Sequence, residues 1–393
     1  MHCEVKPAPT PSKNMSTSGR QLADATAPVG LSPASAGGAV QVRPTGREDY
    51  QNLARFMAGF ANETRGEQFW LDRFRFWWDE NPAYCEETPR GWILWARDQI
   101  KGHFGNIPIA FQLNGKIVTS FNSTSWRVMA SHRNYSLNLL HRWSRCASDS
   151  ILFNATPSED AARIMQAVKF PLVPQGTSVT KSTIVVAPRR VLASRTNGKV
   201  FSSLAGAVGG PVLGLVQACK ARLGRASQPT KVRLLTRADS AFDQLWARTR
   251  HRYAHTNVRS AAAIQWYCFG SEHFRKTLIG CFDGERLAGY AIITKGVRNA
   301  MNVAACADLW LDPDSPAALA DLLRFSKTWA DEEGLDIIEI PHFNHALGQQ
   351  LSRLGLFQRT SAGEQPAYYK ASSIGELNAA ESYLVGLQGD RGI

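Results

Sequence analysis

The stretch Ser131-His132-Arg133-Asn134-Tyr135-Ser136-Leu137-Asn138-Leu139-Leu140 sets small polar and basic residues ahead of an apolar helical pattern, directly after a strand-like run ending at Met129. A short polar turn that opens a helix is an anion site. Its first backbone N–H groups lack intrahelical acceptors, and the helix dipole adds positive potential, so phosphate is favoured there. Downstream, Ser150 to Asn154 reads as a buried strand. Thr156-Pro157-Ser158-Glu159 reads as a capping box with proline at the first helical position. Ala161, Ile164, Met165 and Val168 continue at helical spacing, and Lys169-Phe170 closes the unit. Other constellations carry less. His251 and His255, spaced i, i+4, could hold a cation, but Arg248, Arg250 and Arg252 would repel it and no third ligand follows, so no metal site is expected. His342 and His345 read the same way, and no glycine-rich nucleotide motif is present.

The elements that must position the turn can be read around it. Val40-Gln41-Val42-Arg43 is a short strand, and Thr45-Gly46-Arg47-Glu48 reads as a capping box before Leu53, Phe56, Met57 and Phe60 on one helical face. Trp70, Phe74, Trp77 and Trp78 form an aromatic stripe at helical spacing, expected to be core, and Asn81-Pro82 ends it. Trp92 to Ala96, His103 to Gln112, Lys116 to Phe121 and Ser125 to Met129 read as successive strands, with Asn114-Gly115 as the hairpin turn.

The second half repeats this plan. Lys231 to Leu235, Leu278 to Phe282, Leu287 to Thr294, Ala304 to Leu311 and Asp336 to Ile340 read as strands. Thr236 is a candidate cap for a helix marked by Phe242, Leu245 and Trp246, and a second helix around Leu319 to Trp329 ends at Gly334. Leu354-Gly355-Leu356-Phe357 echoes Val168-Lys169-Phe170. Asp312-Pro313-Asp314-Ser315-Pro316 stands where the first half has its phosphate turn, and its acids would repel a pyrophosphate.

The order strand, anion-binding turn, helix, strand, capped helix, aromatic resembles the GCN5-related N-acetyltransferase fold over residues 91–170. The resemblance also rests on Gly102-His103-Phe104-Gly105-Asn106-Ile107-Pro108 and the Asn-Gly hairpin. It implies an α+β protein of two acyl-CoA N-acyltransferase-like domains, each a mostly antiparallel sheet flanked by helices. In that family the turn carries Q/R-x-x-G-x-G/A and cradles the pyrophosphate of acyl-CoA. Matching Leu139-Leu140 to the family's Leu pair puts Ser131, Asn134 and Ser136 at the signature positions, all three changed. Asn tolerates the left-handed backbone that Gly supplies, and Ser is small.

The resemblance further implies that the backbone of Trp126, Arg127 and Val128, on the family's fourth strand, holds the thioester carbonyl. Ser131, His132, Arg133, Asn134, Tyr135, Ser136, Leu137 and Asn154 would complete the cofactor site. The family's usual acid, a Tyr four residues before the terminal Gly-Phe, is replaced by Met165, which has no proton to donate. Tyr135 and His132 are the candidate catalytic substitutes, with His141 nearby. The implied activity is transfer of an acyl group, acetyl by family habit, from CoA to a small-molecule amine such as an amino-sugar or other envelope polysaccharide precursor. A non-catalytic scaffold of the same fold and an aminoacyl-tRNA-dependent transferase are the alternatives.

Composition frames these readings. The 393 residues carry a net charge of +12 and 44% hydrophobic content, enough for two or three domains with real cores. The charge suits acidic partners: acyl-CoA, acyl carrier protein or an anionic membrane surface; no nucleic-acid-binding signature is visible. Seven scattered cysteines without a C-x-x-C pair fit a reducing compartment. No apolar leader precedes the first strand, so the expected location is cytoplasmic, with peripheral contact to the inner membrane as the further option. The division expected is a disordered tail at 1–38, a domain with the CoA site at 39–185, a linker with an apolar helix at 186–229, a degenerate second domain at 230–375 and a tail at 376–393.

Overall fold

In the computed structural model the described residues are 39–148, 150–174, 180–191, 230–360, 367–371 and 377–385. The expected N-terminal tail and the apolar linker run from Leu204 to Cys219 lie outside them.

In the first sheet, β1 (Gln41–Pro44), β2 (Gly91–Ala96), β3 (Gln99–Leu113) and β4 (Lys116–Val128) run antiparallel in that order, and β5 (Ile151–Asn154) joins β4 in parallel. The β3–β4 hairpin closes at Asn114 and Gly115, both at positive φ (49° and 78°), as an Asn-Gly turn of this type requires. Alternation along the strands separates two layers. Ile93, Ile107 and Ile109 face α1 (Tyr50–Ala58) and α2 (Glu67–Phe74), which runs on through a π-helical turn at Arg75–Asp79. Trp92, Leu94, Phe104 and Leu152 face the other way, onto α3 (Ser136–Ser144) and α4 (Glu159–Ala167). Asn106 ties the layers together: its side chain donates to Pro89 O at 2.7 Å and accepts from the Trp143 indole at 3.3 Å, while its carbonyl accepts from Trp78 at 2.7 Å.

The sequence splits 116–129 into two strands, but β4 is continuous, with an irregularity where Ser125 takes a φ of +51°. Two caps also move. Helix α4 starts after Ser158, whose hydroxyl accepts from Ala161 N–H, so Ser158 and not Thr156 is its cap. At the first helix the Asp49 carboxylate accepts from Gly46 N–H at 2.9 Å, one residue later than the box expected at Thr45.

After β6 (Thr180–Val185) comes the second half: β7 (Lys231–Leu235), α5 (Ser240–Thr249), β8 (His255–Asn257), α6 (Ala261–Phe269), β9 (Thr277–Asp283), β10 (Arg286–Arg298), β11 (Met301–Leu311), α7 (Ala318–Glu332), β12 (Ile337–Pro341), α8 (His345–Arg353) and β13 (Phe357–Thr360). Asp239, not Thr236, caps α5 through Ala241 N–H. The second sheet is ordered β13-β6-β12-β11-β10-β9-β7. Two further strands, β14 (Tyr368–Ala371) and β15 (Ser382–Tyr383), belong to the first sheet: β14 pairs with β5, and β15 pairs with β8, which pairs with β3. The sheets therefore exchange outer strands, since β6 lies between β12 and β13. One apolar core runs through both halves; Phe76 of the α2 extension stacks on Trp266 of α6 at 5.0 Å. Among the described residues no helix is long and apolar enough to cross a membrane.

Candidate active site

Strands β4 and β5 pair only over Ser120–Asn122 and Ile151–Phe153. Beyond that point β4 runs on to Val128, and among the described residues no strand pairs with it on that edge. Gly105 on β3 permits the bend: a Cβ there would sit 2.7 Å from Thr124 Cγ2 and 3.0 Å from His103 Cε1.

The opening leads into a cleft of about 1190 Å³. Ser123 to Val128 and Asn154 form its middle. On the α3–α4 side it is lined by Arg133, Ser136, Thr156 to Ser158, Asp160, Ala161, Arg163 and Ile164; on the α1–α2 side by Phe60 to Asn62, Arg65, Trp70 and Arg73. Five arginines thus line one cleft with Asp160 as the sole acid among its described lining residues. Asp160 is ion-paired to Arg163 and its side chain is 84% exposed.

Glu63 organises the α1–α2 end. Its carboxylate, buried at the side chain, accepts from Arg65 Nε at 2.5 Å, Arg65 N–H at 3.1 Å and Arg127 Nη2 at 2.8 Å. Burial alone would raise its pKa; the hydrogen bonds from Arg65 and Arg127 outweigh this and hold it at about 2. It is therefore a fixed counter-ion and a poor base. Arg127 also donates to Met57 O and lies 5.1 Å over the Phe60 ring. On the same face of β3, paired opposite Arg127, His103 is fully buried and neither ring nitrogen has a hydrogen-bond partner. Burial pushes its pKa down to about 3, against weaker upward pulls from the Ser125 backbone and Asp49.

The structure gathers six of the residues singled out from sequence onto the cleft: Trp126, Arg127, Val128, Arg133, Ser136 and Asn154. Ser131, His132, Asn134, Tyr135 and Leu137 are not among its lining residues. Helical winding begins at Ala130 as a 3-10 turn through Tyr135. His132 N–H is spent on Met129 O and Ser136 N–H on Arg133 O, so the turn is not a loop of free amides. Ser131 Oγ and His132 Nδ1 are 2.8 Å apart, Asn134 and Leu137 are exposed, and Tyr135 packs against the Leu139–Trp143 cluster. Met165 is fully buried in that cluster.

Sequence reasoning missed Glu63, Arg65, Arg73 and Arg163. Asn62-Glu63-Thr64-Arg65 is visible as a polar link between helical patterns, but nothing local connects it to Arg127, 64 residues on. Trp70 of the core stripe also forms cleft wall, so its ring serves both roles.

The second half differs at the equivalent place. β11 pairs with β12 only over Val303–Ala305 and Ile337–Glu339, then runs on to Leu311. There Tyr383 fills the gap, with ring centroids 5.2 Å from Trp310, 5.1 Å from Tyr253 and 5.6 Å from Phe343, and its hydroxyl donates to Leu309 O. Beside it, Arg259 and Asp308, both fully buried, form an ion pair at 3.0 Å that Tyr290 joins at 2.8 Å. Asp312 is buried against Arg248 and Arg286. Among the described residues no group of three or more His, Cys, Asp or Glu side chains is placed to hold a metal.

Fourth and fifth strands that pair briefly and then part, once in each half, with the gap open in the first half and filled by Tyr383 in the second, match the two-domain form of the GCN5-related N-acyltransferase fold. The chain is similar to a probable N-acyltransferase from Enterococcus faecalis V583 (TM-score 0.54, 10% identity, 85% of this chain and 73% of that one). It is also similar to a GCN5-related N-acetyltransferase from Anabaena variabilis (TM-score 0.54, 9% identity, 84% and 72%). A third likeness is to Saccharomyces cerevisiae N-myristoyltransferase with bound myristoyl-CoA (TM-score 0.50, 10% identity, 88% of each chain). No family model and no curated protein matches the chain.

Proposed function

We propose that the protein is an acyl-CoA-dependent N-acyltransferase working from the first half alone. The observation that carries this reading is the open, arginine-lined wedge between β4 and β5, set against the Tyr383-filled gap of the second half. Acyl-CoA fits the residues present: it is long, carries phosphates at one end, and would find Arg133, Ser136 and Arg163 on the α3–α4 side. When bound, it supplies an activated thioester. The edge of β4 beyond its ladder with β5 is where backbone donors would meet the thioester carbonyl, and the acceptor amine enters from the α1–α2 side past Trp70 and Arg127. The charged groups among the described lining residues are five arginines and Asp160, with no His, Cys, Lys or Tyr, so solvent removes the ammonium proton. We assign acetyl as the acyl group, an amino-sugar or envelope precursor as the acceptor, and a cytoplasmic site of action with acyl carrier protein or the inner-membrane surface as partner. The division at 39–185 and 230–375 stays our proposal for the two copies. The test is thiol release from acetyl-, butyryl- and myristoyl-CoA in the presence of amines. Turnover with a saturating amine supports the reading. Binding of CoA without turnover of any thioester favours the scaffold, which the buried Met165 and the lack of a lining His, Cys or Tyr also favour.

A further inference from the structure

We infer that the outer face of α3 is the docking surface for a small acidic protein that presents the acyl group as a thioester on a phosphopantetheine arm; this rests on the acyl-transfer reading above. The chain has no Asp or Glu between Asp98 and Asp149, a span that holds Arg133, Arg142 and Arg145. All three are exposed, and among the described residues none of their guanidiniums has a hydrogen bond or an ion pair. An arginine with no acid beside it keeps its whole donor fork for a partner. Winding is continuous from Ala130 to Ser148, 3-10 at both ends and α-helical between. Arg133, Leu137, His141 and Arg145 follow one another at i, i+4 and form one ridge, with Arg142 next to it. Leu139, Leu140 and Trp143 turn the apolar side of α3 into the core, which leaves Leu137, 53% exposed, among the basic groups.

Arg133 also lines the cleft, so the ridge begins at the cleft's α3–α4 side. Arg142 and Arg145 stand about 14 and 18 Å further along the winding at 1.5 Å per residue. A pyrophosphate held at Arg133 leaves them unengaged, whereas an acidic helix laid along α3 meets all three. The acids of the neighbouring α4, Glu159 and Asp160, sit in its first turn, and Asp160 pairs with Arg163. The arm enters past Arg133, which meets its phosphodiester, and the thioester reaches β4. There the acceptor nitrogen attacks the thioester carbon. The amide C–N bond forms, the C–S bond breaks, the nitrogen's proton goes to solvent, and the carrier's thiolate takes one up from it. A membrane surface fits less well, because interfacial helices turn their apolar side outward and that of α3 is buried.

The experiment titrates an acidic acyl carrier protein, in its apo form without the arm, into three proteins. These are wild type, the double variant Arg142→Glu/Arg145→Glu, and Lys231→Glu/Arg237→Glu, which makes the same charge change at exposed positions of the second half. Acetyl-CoA is titrated into the same three. The apo carrier should bind wild type and the second-half variant alike, and the α3 variant about tenfold or more weaker at unchanged melting temperature. That binding should weaken as salt rises. Acetyl-CoA should bind all three within about threefold, since neither Arg142 nor Arg145 lines the cleft. No binding of the apo carrier by wild type, equal binding by wild type and a folded α3 variant, or an equal loss in the second-half variant overturns the inference. If the α3 variant loses binding to phosphatidylglycerol vesicles and keeps the carrier, the face meets a membrane and the inference is likewise overturned. Failure of acetyl-CoA to bind wild type overturns the acyl-transfer reading instead, while the apo-carrier titrations still decide this one.

Discussion

Replacing Glu63 with Gln removes the counter-ion from the α1–α2 end of the cleft while keeping its shape. A fall in pKa from the ordinary 4.5 to about 2 corresponds to about 3 kcal/mol favouring the ionised carboxylate in the folded protein. The Arg65 and Arg127 side chains are 40% and 27% exposed, so water screens the interaction, and we take about 2 kcal/mol. The folded pKa is depressed. The stabilisation is therefore complete above pH 4.5 and lost as pH falls toward 2. Wild type and Glu63→Gln should differ by about 2 kcal/mol in urea unfolding at pH 7, and about half of that difference should be gone at pH 3.5. No difference at pH 7, or a difference that is the same at pH 3.5, would refute the reasoning.

Other outcomes follow from the same site. His103, ordinarily near 6.5, is held at about 3 by burial; the unfolded chain takes up a proton first as pH falls, so stability should drop between pH 6.5 and 3. The stability of wild type should fall with pH more steeply than that of His103→Leu, by about 1.4 kcal/mol per pH unit, as unfolding of the two proteins across this range checks. With no His, Cys, Lys or Tyr among the described lining residues, kcat/KM should rise with pH along the acceptor amine's own ionisation, without an enzyme group near pH 6.5. Initial rates across pH 6 to 9 with two amines of different pKa check this. Tyr135→Phe and His132→Ala should each leave kcat/KM within about threefold of wild type, since neither side chain lines the cleft.

The fold was legible in the sequence where signals are local. Asn114-Gly115 marks its hairpin, with both residues at positive φ. The break read between Phe121 and Ser125 was an error with a physical cause. Asn122-Ser123-Thr124 looks like a turn because it is polar, yet it is polar within a strand that borders the cleft. The cap of α4 was misplaced by two residues because Thr156 and Ser158 are both capping types and only geometry chooses between them. The exchange of β6 and β14 between sheets was not legible, since strand pairing at this distance leaves no periodic trace. For the same reason the cleft was half-read. Ser136, Arg133 and Asn154 follow from the strand-turn-helix order, whereas Glu63 and Arg65 meet Arg127 only after folding.

The central claim, that the β4–β5 wedge of the first half binds acyl-CoA, is tested most directly by calorimetric titration of acetyl-CoA into wild type, Ser136→Glu and Asp314→Asn. Ser136 is half-buried on the cleft wall, so the new carboxylate would stand among phosphates, while Asp314 is exposed in the second half. Wild type and Asp314→Asn should bind equally, and Ser136→Glu about tenfold or more weaker at unchanged melting temperature, the cost of one lost charged hydrogen bond or more. No binding by wild type, or equal binding by wild type and a folded Ser136→Glu, would contradict the account.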